Sequence, residues 1–531
     1  MYKKYPAINL KLANSVSYDV AVVGGGCAGV VAGLSAAYNG ARTLIVERTG
    51  YLGGMLTGGL VTSLHGYRLH RNYVGGLPMT NWLSPLLVKG ITLDVAKRLQ
   101  EANGTANHDH YGDPSVRENF DEEIMIHILD KMTKEAGVTV LFNTIGFDVV
   151  KENDTVQGII IANKSGPQLI KTGVVVDASG DADIAARAGA DYEQGTKEGH
   201  LTHGIAMNME IGGIDLDRLL DYLRNRPEPT GDQLEIIRRE QIELINGGTP
   251  SPDTILSLDG KRGKFDMSGR KQNWAEIDKA RAGGKHLTLP GIDNEWLQYV
   301  KAHPEIPYMP NTTTLKRCYP RSPIFSWFGL VRDGKVRYDQ TQTGILAMLV
   351  DQTNEEEISK AIILNREINW IYLDFFKKMI PGFEEAYIIK ISPQVGSRES
   401  RRIIGEYMLK ASDCEIGVRF KDAVAQCGRA INVHNLNGQG GLWYWVEPKD
   451  TYDIPYRCLV PRLIDNLLVA GRCSSVDFVA LGATRSMPTC MSMGEAAGAA
   501  AALSVREKVR PRDLDIALLQ KSLRAQGVLL A

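Results

Sequence analysis

Long apolar runs are missing from this chain of 531 residues. No window approaches the roughly 20 consecutive apolar residues of a membrane-spanning helix, and the opening Met-Tyr-Lys-Lys-Tyr-Pro has no secretory apolar core. A cytoplasmic protein with no membrane partner is the expectation. An excess of one charge is missing too: 61 Lys plus Arg stand against 62 Asp plus Glu. There is therefore no overall basic field to hold nucleic acid or an anionic surface, and a small molecule is the expected partner. The composition leaves the oligomeric state open, a homo-oligomer included. Cysteine is sparse, with seven residues (Cys27, Cys318, Cys414, Cys427, Cys458, Cys473 and Cys490). None forms a Cys-x-x-Cys pair, so no zinc site, iron–sulfur cluster or redox disulfide is expected, and the thiols read as reduced core filler. Tandem repeats and low-complexity tracts are also lacking.

What is present is an ordinary globular balance, 44% apolar and 23% charged, in a chain long enough for two packed domains. Residues 18–23, Tyr-Asp-Val-Ala-Val-Val, form a short β-branched run suited to a strand buried on both faces. Three glycines end it. Small helix-compatible residues fill 27–38, and a second buried strand at 43–46 ends at Glu47, which together make a right-handed βαβ unit. Pro, Gly and His punctuate 50–115, predicting loops and short elements. Apolar spacing predicts a helix within 116–136, then strands at 138–142, 147–150, 156–162 and 169–177. Between about 200 and 390 longer charged helices, such as 219–226 and 357–378, mark a second or inserted domain. Residues 466–471 again read as a buried strand running into glycine, and 491–503 as a helix of small residues. The last strand and helix of the first fold thus come from the C-terminal region.

Gly24-x-Gly26-x-x-Gly29 follows a strand and opens a helix, and the acidic Glu47 stands about 20 positions past the last glycine. Each part has a physical reason: Gly24 permits the turn, Gly26 lets backbone approach a pyrophosphate, Gly29 lets helix and strand pack, and the helix N-terminus attracts the anion. The fingerprint points to a dinucleotide without separating NAD from FAD. The next stretch, Glu47-Arg48-Thr-Gly-Tyr-Leu-Gly53-Gly54-Met55-Leu-Thr57, carries a second glycine pair and resembles the flavoprotein pattern, in which the chain turns back along the pyrophosphate. Residues 174–181, ending in Ala178-Ser179-Gly180-Asp181, resemble the strand and turn packed against the adenosine half. Val469-Ala470-Gly471-Arg472 and Ser486-Met-Pro488-Thr-Cys-Met491 resemble the late strand and helix whose N-terminus points at the flavin, with Pro488 in the first turn where proline is tolerated.

Together these segments resemble the FAD-binding flavoproteins of the glutathione-reductase type. More narrowly they resemble the FAD-dependent oxidoreductase family, on Gly396-Ser-Arg398-Glu399-Ser-Arg401-Arg402-Ile-Ile-Gly405-Glu406-Tyr407 and Asp453-Ile-Pro-Tyr456-Arg457-Cys-Leu-Val-Pro461. The resemblance runs from about residue 18 to 505 and is weakest in the middle. It implies an α/β fold with a discontinuous Rossmann-like FAD-binding domain of the glutathione-reductase type (16–75, 115–200 and 455–510). An interleaved α+β substrate domain (76–114 and 201–454) and a C-terminal helix or tail (511–531) complete it. The implied FAD contacts are Gly24, Gly26, Cys27, Ala28, Gly29, Glu47, Arg48, Gly53, Gly54, Met55, Thr57, Ile145, Ala178, Ser179, Gly180, Asp181, Gly471, Arg472 and Met491.

No second Gly-x-Gly-x-x-Gly unit occurs in 200–450, so a separate NAD(P)H domain is not expected. The expected chemistry is hydride exchange between a small molecule and flavin N5. A flavin monooxygenase or an NAD(P)H-dependent reductase is the alternative within enzymes, and a non-catalytic or nucleic-acid-modifying flavoprotein the alternative outside them. Arg398 and Arg402, in a cluster with Glu399 and Arg401, are candidates to hold a carboxylate or an anionic flavin edge. His65 and then His434 lead the candidate proton acceptors, ahead of His70 and His203. Cys490 at the last helix's start reads as packing, and Trp443-Tyr444-Trp445 as core or a ring-stacking surface.

Overall fold

The first strand, β1 (Ala13–Val23), shows why the fold begins where it does. Val20 and Val22 face one core and Ala21 and Val23 another, all four at most 5% exposed. Only a strand covered on both sides tolerates such a run. In this computed structural model the described residues are 13–64, 86–106, 119–196, 202–226, 274–287, 289–303, 306, 309–310, 317–318, 328–343, 350–434, 442–446 and 451–530.

β1 pairs in parallel with β2 (Thr43–Val46), which pairs in parallel with β3 (Thr139–Leu141). On its other side β1 lies parallel to β6 (Gly166–Asp177), and β4 (Ile145–Glu152) and β5 (Thr155–Asn163) join as an antiparallel ribbon. The seven-stranded sheet has the order β3-β2-β1-β6-β5-β4, with the C-terminal strand Leu467–Val469 laid parallel on the second half of β6. The expected α/β architecture with a parallel sheet and a late strand from the C-terminal region is what the chain adopts.

One face of the sheet carries helix α1 (Cys27–Tyr38) and a long closing helix, Met487–Glu507. The closing helix begins four residues earlier than its small-residue run predicts, with Pro in its first turn. Glycines set how close the two helices come. A Cβ at Gly494 would stand 2.1 Å from the carbonyl oxygen of Ala28, and one at Gly498 2.1 Å from that of Ala32. Backbone therefore lies on backbone.

Helix α2 (Ile91–Glu101) falls inside the stretch expected to hold loops and short elements. Its Ile91, Val95 and Leu99 bury a single face, a spacing that Gly90 and the nearby Pro and His residues obscured. Helix α3 (Glu122–Glu135) starts at Asp121, whose carboxylate accepts from the Glu123 and Ile124 amides at 3.0 and 3.3 Å. Residues 116–118 of the expected helix lie outside the described residues.

A second lobe is built on a three-stranded antiparallel sheet in the order Gln340–Thr343, Met209–Gly212, Tyr387–Ile391. It has a separate core with helices Leu216–Asn225 and Glu355–Met379. Amides of Asn208 and Gln342 both reach the Leu60 carbonyl at 2.8 Å, and Arg332 bridges Glu122 (3.1 Å) and Glu210 (2.9 Å) across the lobes. Burial, then the neighbouring Glu122, pushes Glu210 up to about 7. No helix among the described residues is long and apolar enough to cross a membrane.

Glu495 sits in the closing helix, 1% exposed, accepting from the Ile91 amide at 3.1 Å. Burial raises its carboxyl from an ordinary 4.5 to about 8. The folded state thus holds this proton more tightly than the unfolded chain, so its contribution to stability is greatest below 4.5 and is lost as pH rises toward 8. Glu495→Gln cannot titrate. Its melting temperature should gain on the unaltered protein steadily between pH 5 and 8 and run parallel above that; a pH-independent difference in thermal melts would refute the assignment.

Candidate functional site

β1 delivers the chain to Gly24, whose φ of +96° and amide bond to the Val46 carbonyl (2.8 Å) make the turn. A Cβ there would meet the Ala178 carbonyl oxygen at 2.5 Å, and one at Gly29 would stand 1.7 Å from the oxygen of Gly24. Gly26 is different. Its φ of −68° suits any residue, and a Cβ would find nothing within 4 Å. Gly26 is the N-cap of α1, supplies no side-chain cap, and the first turn carries no acidic residue. The helix therefore presents its first amides and its positive end to open space bounded by glycine.

Several distant segments ring that space. Glu47 takes the Gly25 amide at 2.6 Å through one oxygen, and the Thr49 amide and hydroxyl at 2.7 and 2.8 Å through the other. Arg48 is exposed. Gly53 and Gly54 take φ of +100° and +56°, and the Gly53 amide donates to the Gly25 carbonyl at 2.8 Å, which fixes the second glycine pair on the first. Thr57 closes this turn with its hydroxyl on the Leu52 carbonyl at 2.6 Å, and Met55 packs under Gly59 toward Gly396. The Thr144 amide bonds the Glu47 carbonyl at 3.0 Å, which places Ile145, 55% exposed, beside the acidic strand end.

The turn after β6 is tied by Asp177, which accepts from the Ser179 hydroxyl at 2.6 Å and from the Ile184 and Ala185 amides at 2.9 and 2.8 Å. Burial still lifts its carboxyl to about 6. Asp181 pairs with Arg472 at 2.6 Å and accepts from the Ser400 hydroxyl at 2.5 Å. Burial works to raise Asp181, but the Arg472 charge and these bonds win and hold it below the ordinary carboxylate range. Gly471, φ +87°, brings Arg472 against Gly180 and touches Ala28. Met491 is fully buried in the closing helix.

One thiol pair escaped the sequence spacing. Cys490, whose thiol donates to the Thr484 carbonyl at 3.7 Å, lies beside Cys27, and the interaction of the two thiols, aided by the first-turn amides of α1, lowers Cys27 while Cys490 is pushed up. The six cysteines whose side chains are described are unbridged, five of them buried.

The Arg398–Arg402 cluster divides. Arg402 is 1% exposed, its guanidinium spent on Glu399 (2.9 Å), the Val476 carbonyl (2.6 Å) and the Gly195 carbonyl (3.0 Å). It differs from the expected anion contact because burial obliges every donor to find a protein partner. Arg401 is likewise engaged, by Asp183 at 3.0 Å. Arg398, half-buried, donates to the Gly204 carbonyl at 3.0 Å.

Of the histidines, His65 and His70 lie outside the described residues. His434 ends strand Ile431–His434, opposite Leu442–Val446, which holds Trp443, Tyr444 and Trp445; only the backbone of these four is described. His203, the lesser candidate, is fully buried and stacked on Phe478 at 4.5 Å, its Nε2 on the Phe478 carbonyl at 3.2 Å. With Nε2 donating, Nδ1 is the acceptor, and it has no partner. Burial, then Arg485, pushes its pKa well down, keeping the ring neutral. Arg485, Arg429 and Ser400 went unnoticed in the sequence; a lone arginine just before the last helix was the available signal for Arg485.

The donor set fits a dinucleotide: free helix amides, glycines where backbone must approach and an acidic strand end. Among the described residues no group of three or more His, Cys, Asp or Glu is placed to hold a metal. Residues 19–523 match the model of a family described as FAD dependent oxidoreductase. A geranylgeranyl bacteriochlorophyll reductase-like protein from Thermoplasma acidophilum is 13% identical over 96% of this chain and 83% of its own, with a TM-score of 0.42. A p-nitrophenol 4-monooxygenase from Pseudomonas putida is 9% identical over 96% and 85%, TM-score 0.40. An anhydrotetracycline hydroxylase from Streptomyces rimosus is 12% identical over 97% and 69%, TM-score 0.38. No curated protein sequence matches the chain.

Gly24 and Gly26 separate fold from cofactor. Gly24→Ala should cost about 2–3 kcal/mol in denaturant unfolding, because its φ and the Ala178 oxygen both oppose a Cβ. Gly26→Ala should leave the melting temperature of the cofactor-free chain within about 2 °C, yet weaken FAD binding by at least about tenfold. Equal FAD affinity for Gly26→Ala and the unaltered protein would show that the open space is not the pyrophosphate site.

Proposed function

Because the chain belongs to the FAD dependent oxidoreductase family, we propose that it moves a hydride between a small-molecule substrate and flavin N5, on a fold of the glutathione-reductase type. The observation that carries this reading is the uncapped N-terminus of α1 facing open space at Gly26. FAD, when bound, supplies the two-electron chemistry. The protein's part is placement and charge.

In this reading the first amides of α1 hold the pyrophosphate, with Cys27, Ala28 and Gly29 at the contact. Glu47 keeps a lone pair for a ribose hydroxyl after satisfying Gly25 and Thr49. Arg48, Ile145 and the Ala178–Gly180 turn border the adenosine half, and Gly53, Gly54, Met55 and Thr57 line the path toward the ring. Asp181 fixes Arg472 beside Gly180, so the Arg472 charge lies next to the pyrophosphate without being mobile. The closing helix, Met491 within it, aims its positive end at the ring's far side and favours negative charge developing there.

The division into a cofactor domain (16–75, 115–200 and 455–510) and a substrate domain (76–114 and 201–454) belongs to the same reading, with the substrate between the lobes. Neutral, fully buried His203 keeps Nδ1 unpaired, and it takes the proton-acceptor role here.

Anaerobic mixing of the FAD-loaded protein with a panel of alcohols, amines, organic acids and sugars should bleach the visible flavin band with at least one. Rapid bleaching by NAD(P)H instead would replace this reading with a monooxygenase or nicotinamide-dependent reductase. Bleaching by nothing would remove the catalytic reading altogether.

A further inference from the structure

Arg398, Arg429 and Arg485 come from separate parts of the chain, and Arg485 stands at the N-terminus of the closing helix. Arg485 immediately precedes its N-cap, Ser486, and donates from Nη2 to the Asn432 carbonyl at 3.2 Å. The short helix Leu481–Thr484 lies so closely on strand Ile431–His434 that a Cβ at Gly482 would stand 2.8 Å from the same carbonyl oxygen. Arg429 lies in the irregular stretch just before that strand. The third, Arg398, bonds Gly204, and the preceding residue, His203, stacks on Phe478 at the start of the segment leading to Arg485.

Burial first, then the charges of Arg398 and Arg429, push Arg485 well below the ordinary arginine range, and burial lowers Arg429 as well. Among the described residues neither Arg429 nor Arg485 forms an ion pair with a carboxylate. Glu399 is the carboxylate that acts on Arg485, after the Cys490 thiol, and it is already held by Arg402 and by the His203 and Gly195 amides. The same cluster concentrates buried polar atoms that have no partner: Arg485 Nε, Asn432 Oδ1 and His203 Nδ1. Buried polar atoms are ordinarily paired, and like charges are not ordinarily gathered out of water without an anion.

The cofactor does not account for this charge. Oxidised flavin is neutral at its ring, its pyrophosphate has its own helix end at Gly26, and one negative charge on a reduced ring is fewer than these guanidiniums supply. We propose that Arg429 and Arg485, with Arg398 beside them, anchor the carboxylate of the substrate, so that the substrate is a small organic acid. This rests on the oxidoreductase reading above for the word substrate, and on the arginine geometry for the acid. Two planar forks next to a helix N-terminus are suited to a carboxylate's two oxygens.

Calorimetric titration of the FAD-loaded, full-length protein with acetate, L-lactate, benzoate and succinate, each against its amide, and with inorganic phosphate, tests it. At least one acid should bind, its amide at least about tenfold more weakly. Arg429→Gln and Arg485→Gln should each weaken that acid by at least about tenfold at unchanged FAD content, and Arg485→Lys should restore part of the loss. Binding of no acid, equal binding of acid and amide, or preference for phosphate over every acid would overturn the proposal. So would glutamine variants that lose FAD and keep the acid, which would assign the arginines to the flavin. Should those variants fail to fold, the acid-to-amide comparison on the unaltered protein still decides. Acid binding without bleaching by any compound would sink the oxidoreductase reading and leave the anion site standing; bleaching by neutral compounds alone would do the reverse.

Discussion

The site depends on how closely α1 and the closing helix approach. Gly494 and Gly498 lie on the carbonyl oxygens of Ala28 and Ala32, and Ser35 donates to the Glu495 carbonyl at 2.8 Å. A methyl group at either glycine would force the helices apart. That contact brings two helix N-termini, separated by most of the chain, to one side of the sheet, and it sets Cys490 against Cys27 and Gly471 against Ala28. Helix packing therefore also sets where the first amides of α1, at Gly26, point.

Charge in this region is arranged to be either fully spent or fully open. Asp177, Asp181, Glu399 and Arg402 are buried or nearly so, and each is satisfied by named protein partners. They fix loops. By contrast the start of α1, Arg429 and Arg485 carry positive charge with no acidic partner among the described residues. A protein that neutralises its other buried charges so thoroughly makes these exceptions informative.

The strand, glycine turn and helix at 18–38 were legible because their signals are local: β-branched burial, then glycines at the positions where a Cβ meets Ala178 or Gly24. The late strand at 466–471 and the small-residue helix were legible for the same reason, since close packing demands small side chains. Helix α2 was not, because its apolar stripe is short and flanked by glycine, proline and histidine. Arg402 illustrates a different limit. Charge spacing announces a cluster but does not say which guanidinium is turned inward, and only the positions of Val476 and Gly195 reveal that this one is. The placing of Cys490 by Cys27 and the packing of Leu481–Thr484 on Ile431–His434 depend on segments far apart in sequence, so no periodicity carries them.

The cofactor content of the purified protein, read from its visible spectrum and from the mass of the molecule released on denaturation, tests the central claim most directly when the unaltered chain is compared with Gly494→Ala. One FAD per chain, with most of it lost in the variant, is the expected result. FMN or a nicotinamide nucleotide in place of FAD, or full retention of FAD by the variant, would contradict it.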